Sequence, residues 1–243
     1  MQPSARHIRY AEYMKGKTPR QATRKATGKK RKSARGRPPA SEVATRAENL
    51  FDVATEVFME QGFKGASMSD IARRAGASKQ TLYARYPSKA ALFAALIERK
   101  SSSIFEAIGP LDASRSPRET LIHFGSEFLS MIFTEDARCL HRVVIAECVE
   151  FPELGEMFWA IGPGRTRAVL ADYLRSQHAL GAIRCDDPER AVSALLGMLF
   201  GEASLRSNLG IRSPIAASRA ERLAWVNYAV DTFLASMEGN ARR

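Results

Sequence analysis

The sequence predicts an all-α fold. After residue 40, apolar residues recur at three- and four-residue steps, and no segment of weight alternates with the two-residue period of a strand. Strong helix starts punctuate the chain at Ser67-Met68-Ser69-Asp70, Ser116-Pro117-Arg118-Glu119 and Asp187-Pro188-Glu189. There, capping side chains, first-turn prolines or acidic residues precede apolar runs. Between residues 67 and 86, two short helices are separated by a tight glycine-containing turn.

Composition excludes several classes. With 243 residues and 45% apolar content, the chain can bury a sizeable core. Its three cysteines (Cys139, Cys148, Cys185) form no CxxC pair, which speaks against a disulfide scaffold or a zinc ribbon. The longest apolar stretch, Ala191 to Gly201, falls well short of the roughly 18 residues that span a bilayer. The N-terminus has charge but no apolar h-region, so a soluble, cytoplasmic protein without a membrane partner is expected.

The net charge of +11 is unevenly placed. Residues 1–40 hold thirteen Lys/Arg and one acid, Glu12, whereas residues 41–243 hold 24 Lys/Arg against 25 acids. A like-charged run with few large apolar residues cannot offset chain entropy, so 1–40 is expected to be a disordered basic arm that binds polyanions.

The elements follow in order from Ser41. Leu50, Ala54, Val57 and Phe58 mark a first helix, with Gly62 at its left-handed C-cap and Phe63 folded back on its last turn. Ser67 opens a second helix, which runs through Ala75. Gly76-Ala77-Ser78 turns the chain, and Ser78 caps a short third helix that Pro87 stops. Ser88 starts a longer helix carrying Leu92, Phe93, Leu96, Ile97, Ile104 and Phe105. Further helices cover 116–132, 137–150, a pair over 153–180 broken at Gly162-Pro163-Gly164, and two from Asp187 and Ser218. The count is about nine.

Residues 67–86 have the form of a helix-turn-helix. Ala72 lets two helices cross closely, Gly76 admits positive φ, and Ile71, Ala75 and Leu82 make the buried seam. Ser78, Lys79, Gln80 and Thr81 then point outward, able to donate hydrogen bonds into a major groove.

These residues carry a resemblance. Ala54, Phe58 and Gly62-Phe63 are followed by Ser69-Asp70-Ile71-Ala72 and Ala75-Gly76. After them come Ser78-Lys79-Gln80-Thr81-Leu82-Tyr83, Tyr86-Pro87-Ser88-Lys89 and Leu92-Phe93. In this ordered run residues 41–105 resemble the DNA-binding domain of the TetR family of bacterial transcriptional regulators. Tyr86 and Ala77 stand where phenylalanine and valine are common. The resemblance implies a homodimeric, ligand-responsive regulator, usually a repressor, that binds a palindromic operator in double-stranded DNA. It places Ser78, Lys79, Gln80, Thr81 and Tyr83 on the recognition helix, and Tyr86 and Lys89 on the phosphate backbone. Read from the residues alone, Tyr83 also fits a packing role and Lys89 a solvated first-turn position.

The chain thus divides into a basic arm (1–40), a helix-turn-helix domain (41–87), a connecting helix (88–108) and a ligand-binding and dimerisation domain (109–239). In the last, Phe124, Phe128, His141, Phe158 and Trp159 are the candidate pocket residues for an unknown small-molecule effector, with Phe133, Phe151 and Met157 as further candidates. His123 is a candidate ligand or pH sensor. Met198 and Phe233 represent a dimer contact built from helices 188–208 and 218–237, where small and large residues mix.

In the arm, Arg35-Gly36-Arg37-Pro38 resembles an AT-hook, which would lay Arg35 and Arg37 along an A·T-rich minor groove; unspecific phosphate attraction is the alternative. No G-x-S-x-G, P-loop or G-x-G-x-x-G occurs, so neither enzyme activity nor a cofactor is expected. A nucleoid-type binder acting mainly through the arm remains the alternative to a sequence-specific regulator.

Overall fold

The computed structural model describes residues 40–238. The basic arm, with Arg35 and Arg37, lies outside the described residues. Among those described, eleven helices and no strand are found: α1 (Ala40–Gly65), α2 (Met68–Arg74), α3 (Lys79–Arg85), α4 (Lys89–Ile108), α5 (Pro117–Ile132), α6 (Glu135–Glu147), α7 (Pro152–Ile161), α8 (Pro163–Ala179), α9 (Pro188–Asn208), α10 (Pro214–Ala217) and α11 (Arg219–Glu238). The single-turn α10, which carries no apolar periodicity, is the one helix with no counterpart among the elements expected from the sequence. None of the described helices is long and apolar enough to cross a membrane.

Most helix starts follow from side-chain caps. Ser67, Ser78, Ser88, Ser116, Thr134 and Asp187 each accept a hydrogen bond from a first-turn backbone N–H. Proline at the first position of α5, α7, α8, α9 and α10 gives up no intrahelical bond there. The sixth helix starts at Glu135, two residues ahead of its expected start, because Thr134 is its cap.

Two apolar clusters hold the helices. In the first, Ala54, Val57, Phe58, Ile71, Leu82, Leu92 and Phe93 pack with Leu140, Val144, Leu154 and Met157, so α6 and α7 share a core with the helix-turn-helix. The second gathers Leu121, Phe124, Leu129, Leu170, Leu195, Leu199, Val226 and Phe233. Gly125 permits the close approach in this second cluster: a Cβ there would lie 2.9 Å from Val226 Cγ1 and 3.2 Å from Leu199 Cδ2.

The first helix carries a backbone break. Gly62 interrupts α1 at φ 69° and ψ 177°, a conformation essentially reserved for glycine. It is not the left-handed C-cap expected from the sequence, although φ is positive. The break turns Phe63 inward, where it stacks on Phe58 at 6.0 Å and meets Phe93 edge-on at 5.6 Å.

Candidate DNA-binding surface and effector cavity

The helix-turn-helix is held by short-range polar contacts. Asp70, in the first turn of α2, pairs with Arg73 and with Arg74 Nε at 3.0 Å, and accepts from Gln61 Nε2 at 3.0 Å. Hydrogen bonding from Arg73 and Gln61, with the charges of both arginines, holds the Asp70 carboxyl below its ordinary range. Arg74 reaches back to Glu60 at 2.7 Å, tying α2 to α1. At the turn, Gly76 has φ 63° and Ala77 N–H donates to Ala72 O at 2.9 Å.

Helix α3 buries one side chain, Leu82. Lys79, Gln80, Thr81, Tyr83 and Arg85 are exposed, with Tyr83 at 48%. About half of the Tyr83 side chain is thus open to solvent. Ser78 Oγ accepts from Thr81 N–H at 3.0 Å and lies 2.7 Å from Thr81 Oγ1, so these two hydroxyls form the N-terminal cap. The longer outward-facing side chains of α3 are Lys79, Gln80, Tyr83 and Arg85. Sequence reading missed Arg85, which continues the exposed face one turn beyond Thr81.

Two residues expected at the phosphate backbone are engaged within the protein. Tyr86, expected on the phosphate backbone, is a buried ring edge-on to Phe51 at 6.0 Å and covered by the Arg85 guanidinium at 5.5 Å. Lys89, expected beside it, turns inward: Nζ donates to Lys64 O at 3.0 Å and Ala66 O at 2.9 Å, and sits 4.7 Å over the Phe63 ring. The orphan carbonyls at the end of α1 draw in the cation, and partial burial pushes its pKa down. Lys89 is thus a C-terminal cap of α1.

Glu147, the last residue of α6, completes this joint. Its Oε1 accepts from Lys64 N–H at 3.1 Å, just past the Gly62 break, while Lys64 Nζ lies 2.7 Å from Glu150. The opposite end of α6 contributes Ala137, Arg138, Leu140 and His141 to a cavity of about 390 Å³. This volume falls in the range of small-molecule sites. Phe128, Phe158 and Trp159 also line it, as do Phe133 and Phe105, bringing four of the five principal pocket candidates together. His141 stacks on Phe158 at 5.4 Å, and burial pushes its pKa below the ordinary histidine value.

The fifth candidate, Phe124, is excluded from that lining. It is almost fully buried in the second cluster, stacked on Phe128 at 5.3 Å. Phe151 and Met157 belong to the first cluster instead, Phe151 edge-on to Phe63 at 5.4 Å. His123 Nε2 is engaged by Ile108 O at 3.0 Å. The cavity also includes Lys100, Arg167, Ser193 and Gly197, none of which carried a signal distinguishing it from an ordinary surface residue.

At the far side, Phe233 is fully buried within the chain and cannot meet a second copy. Met198 is only partly buried, and the outward apolar residues nearby are Leu205, Leu223 and Tyr228, with Tyr228 64% exposed beside Trp225 at 5.8 Å.

Comparisons with known proteins agree with this architecture. Residues 50–96 match the family described as "Bacterial regulatory proteins, tetR family", and residues 119–236 match "AefR-like transcriptional repressor, C-terminal domain". Among solved structures, the chain is similar to the flavonoid-responsive regulator FrrA: 30% identity over 79% of this chain and 97% of that one, TM-score 0.67. A TetR transcriptional regulator from Agrobacterium tumefaciens shares the fold at 23% identity over 78% of this chain and 93% of its own, TM-score 0.65. The regulator AcrR of Shigella flexneri is 32% identical over 45% of this chain. The chain spans about half the length of AcrR, 51%, and 29% of the Mycolicibacterium smegmatis activator FasR, to which it is 36% identical over 26% of its own length. With the helix-turn-helix geometry and these matches over both parts of the described fold, the chain belongs to the TetR family of bacterial transcriptional regulators.

Proposed function

We propose that this regulator is a ligand-responsive repressor: a homodimer binds a palindromic operator and releases it when a small, largely apolar molecule fills the cavity. The observation that carries the reading is the span of α6. One end of this helix lines the cavity through Arg138 and His141, and the other caps the broken first helix through Glu147. A ligand that displaces α6 therefore acts on the support of α2 and α3. The similarity to a regulator named flavonoid-responsive supports an aromatic effector.

In this reading Gln80 reads base edges, while Lys79, Tyr83 and Arg85 position α3 on base edges and phosphates. Ser78 and Thr81 hold the helix start. The exposed Leu205, Leu223 and Tyr228 seat the second copy, and the protein works in the cytoplasm. The basic arm adds long-range attraction, with Arg35 and Arg37 near the minor groove beside the operator.

Selection of bound sequences from a random DNA pool tests the reading. The full chain and a chain lacking residues 1–40 should recover the same palindrome. The shortened chain should show a salt slope flatter by about five per subunit if roughly six arm cations engage phosphate. Loss of all sequence preference on removing the arm would favour the nucleoid-type alternative and overturn the proposal.

A further inference from the structure

The cavity lining contains three obligate cations, Lys100, Arg138 and Arg167, and no carboxylate. Two of the cations are matched by acids outside the lining: Lys100 Nζ lies 2.8 Å from Asp136, and Arg138 pairs with Glu135. Arg167 is different. Its Nη2 donates to Ser193 Oγ at 2.7 Å and to the Glu189 carbonyl at 3.4 Å, both neutral acceptors. The carboxylate of Glu189 is turned to Arg175 instead, at 2.6 Å. The Arg167 guanidinium also lies over the Trp159 ring, 6.0 Å from its centroid.

The remaining lining is mostly aromatic and aliphatic, from Phe105, Phe128, Phe133 and Phe158 to Leu196, with the His141 ring and the hydroxyl residues Ser101, Thr166, Ser193, Ser204 and Ser207 as its neutral polar members. A cationic ligand would be repelled. A wholly apolar one would strip water from the guanidinium groups and return no acceptor.

We infer that the cavity takes an aromatic acid, a flat apolar body bearing one anionic oxygen group that Arg167 binds. The aromatic body lies among the phenylalanine rings and Trp159. This rests on the cavity being the effector site.

The test uses the full chain and two probes of equal shape, 2-naphthoate and its neutral amide 2-naphthamide, measured by isothermal titration calorimetry. The acid is expected to bind at least about tenfold more tightly than the amide, the factor that one charge-assisted hydrogen bond supplies. Arg167→Gln should bring the acid down to the level of the amide while leaving the amide unchanged, and Arg167→Lys should restore part of the preference. Gly197→Phe, which fills the cavity from a position with open space beside it, should abolish binding of both probes. Equal binding of acid and amide by the parent overturns the anion assignment but leaves the cavity as a ligand site. A preference that survives Arg167→Gln overturns the role of Arg167. Binding of neither probe, or binding unaffected by Gly197→Phe, overturns the aromatic-acid assignment and removes support for the cavity itself.

Discussion

Replacing Gly62 with alanine probes the joint between the DNA-binding helices and α6. At φ 69° and ψ 177° a residue with a side chain is strained by about 1–3 kcal/mol. The new Cβ would also lie 2.7 Å from Glu147 Oε1, closer than ordinary van der Waals contact. The carboxylate must swing away, weakening its bond from Lys64 N–H and adding roughly 0.5–1.5 kcal/mol. Gly62→Ala should therefore destabilise the chain by about 2–4 kcal/mol. In a Glu147→Ala background only the backbone strain remains, so the two losses should fall short of additivity by roughly 0.5–1.5 kcal/mol. Urea unfolding followed by far-ultraviolet circular dichroism on the parent, both single variants and the double variant reads these terms directly. A Gly62→Ala cost below about 0.5 kcal/mol would refute the strain argument. Strict additivity of the two variants would refute the contact.

Other consequences arise from the same geometry. Lys89→Ala should lower stability by about 1 kcal/mol through loss of the α1 cap while leaving the salt slope of DNA binding unchanged, measured by urea unfolding and a salt titration. Gln80→Ala should instead leave stability unchanged and relax discrimination at one operator position by about 1–3 kcal/mol, read by selection from a random pool. Burial lowers the His141 pKa in the folded state, so between that value and about 6.5 the unfolded chain binds the extra proton. Stability should accordingly fall as pH drops below about 6.5, and His141→Gln should flatten that dependence in thermal melts at stepped pH. Tyr228→Asp, at an exposed position, should shift the sedimenting species toward monomer with unchanged helix content; a parent that is itself monomeric would remove the basis of this prediction.

How much could be read in the sequence depended on the distance of each residue's partners. The turn and its caps were legible because their bonds close within a few residues: Ser67 to Asp70, Ser78 to Thr81, Ala77 to Ala72. The internal contacts of Lys89 were not legible because its acceptors, the Lys64 and Ala66 carbonyls at the end of α1, lie more than twenty residues away. Phe124 and Phe128 occupy the same face of α5 one turn apart and both join the second cluster, yet Phe128 lines the cavity as well and Phe124 does not. Arg167 was illegible for a related reason: a lone arginine on a helix reads as solvated until Trp159 and Ser193 are brought to it.

The anchoring of α3 by Leu82 alone has a consequence for how this protein can change. The outward residues of the helix can be exchanged at less cost to the fold than Leu82, because each keeps much of its surface in solvent. In the proposed reading, mutations of these residues that retune DNA preference are thus less bound by the stability threshold that limits change in the core. Substitutions at Leu82, by contrast, would detach the whole reading helix at once. Recognition in this architecture can drift one base contact at a time, while the scaffold beneath it stays under constraint.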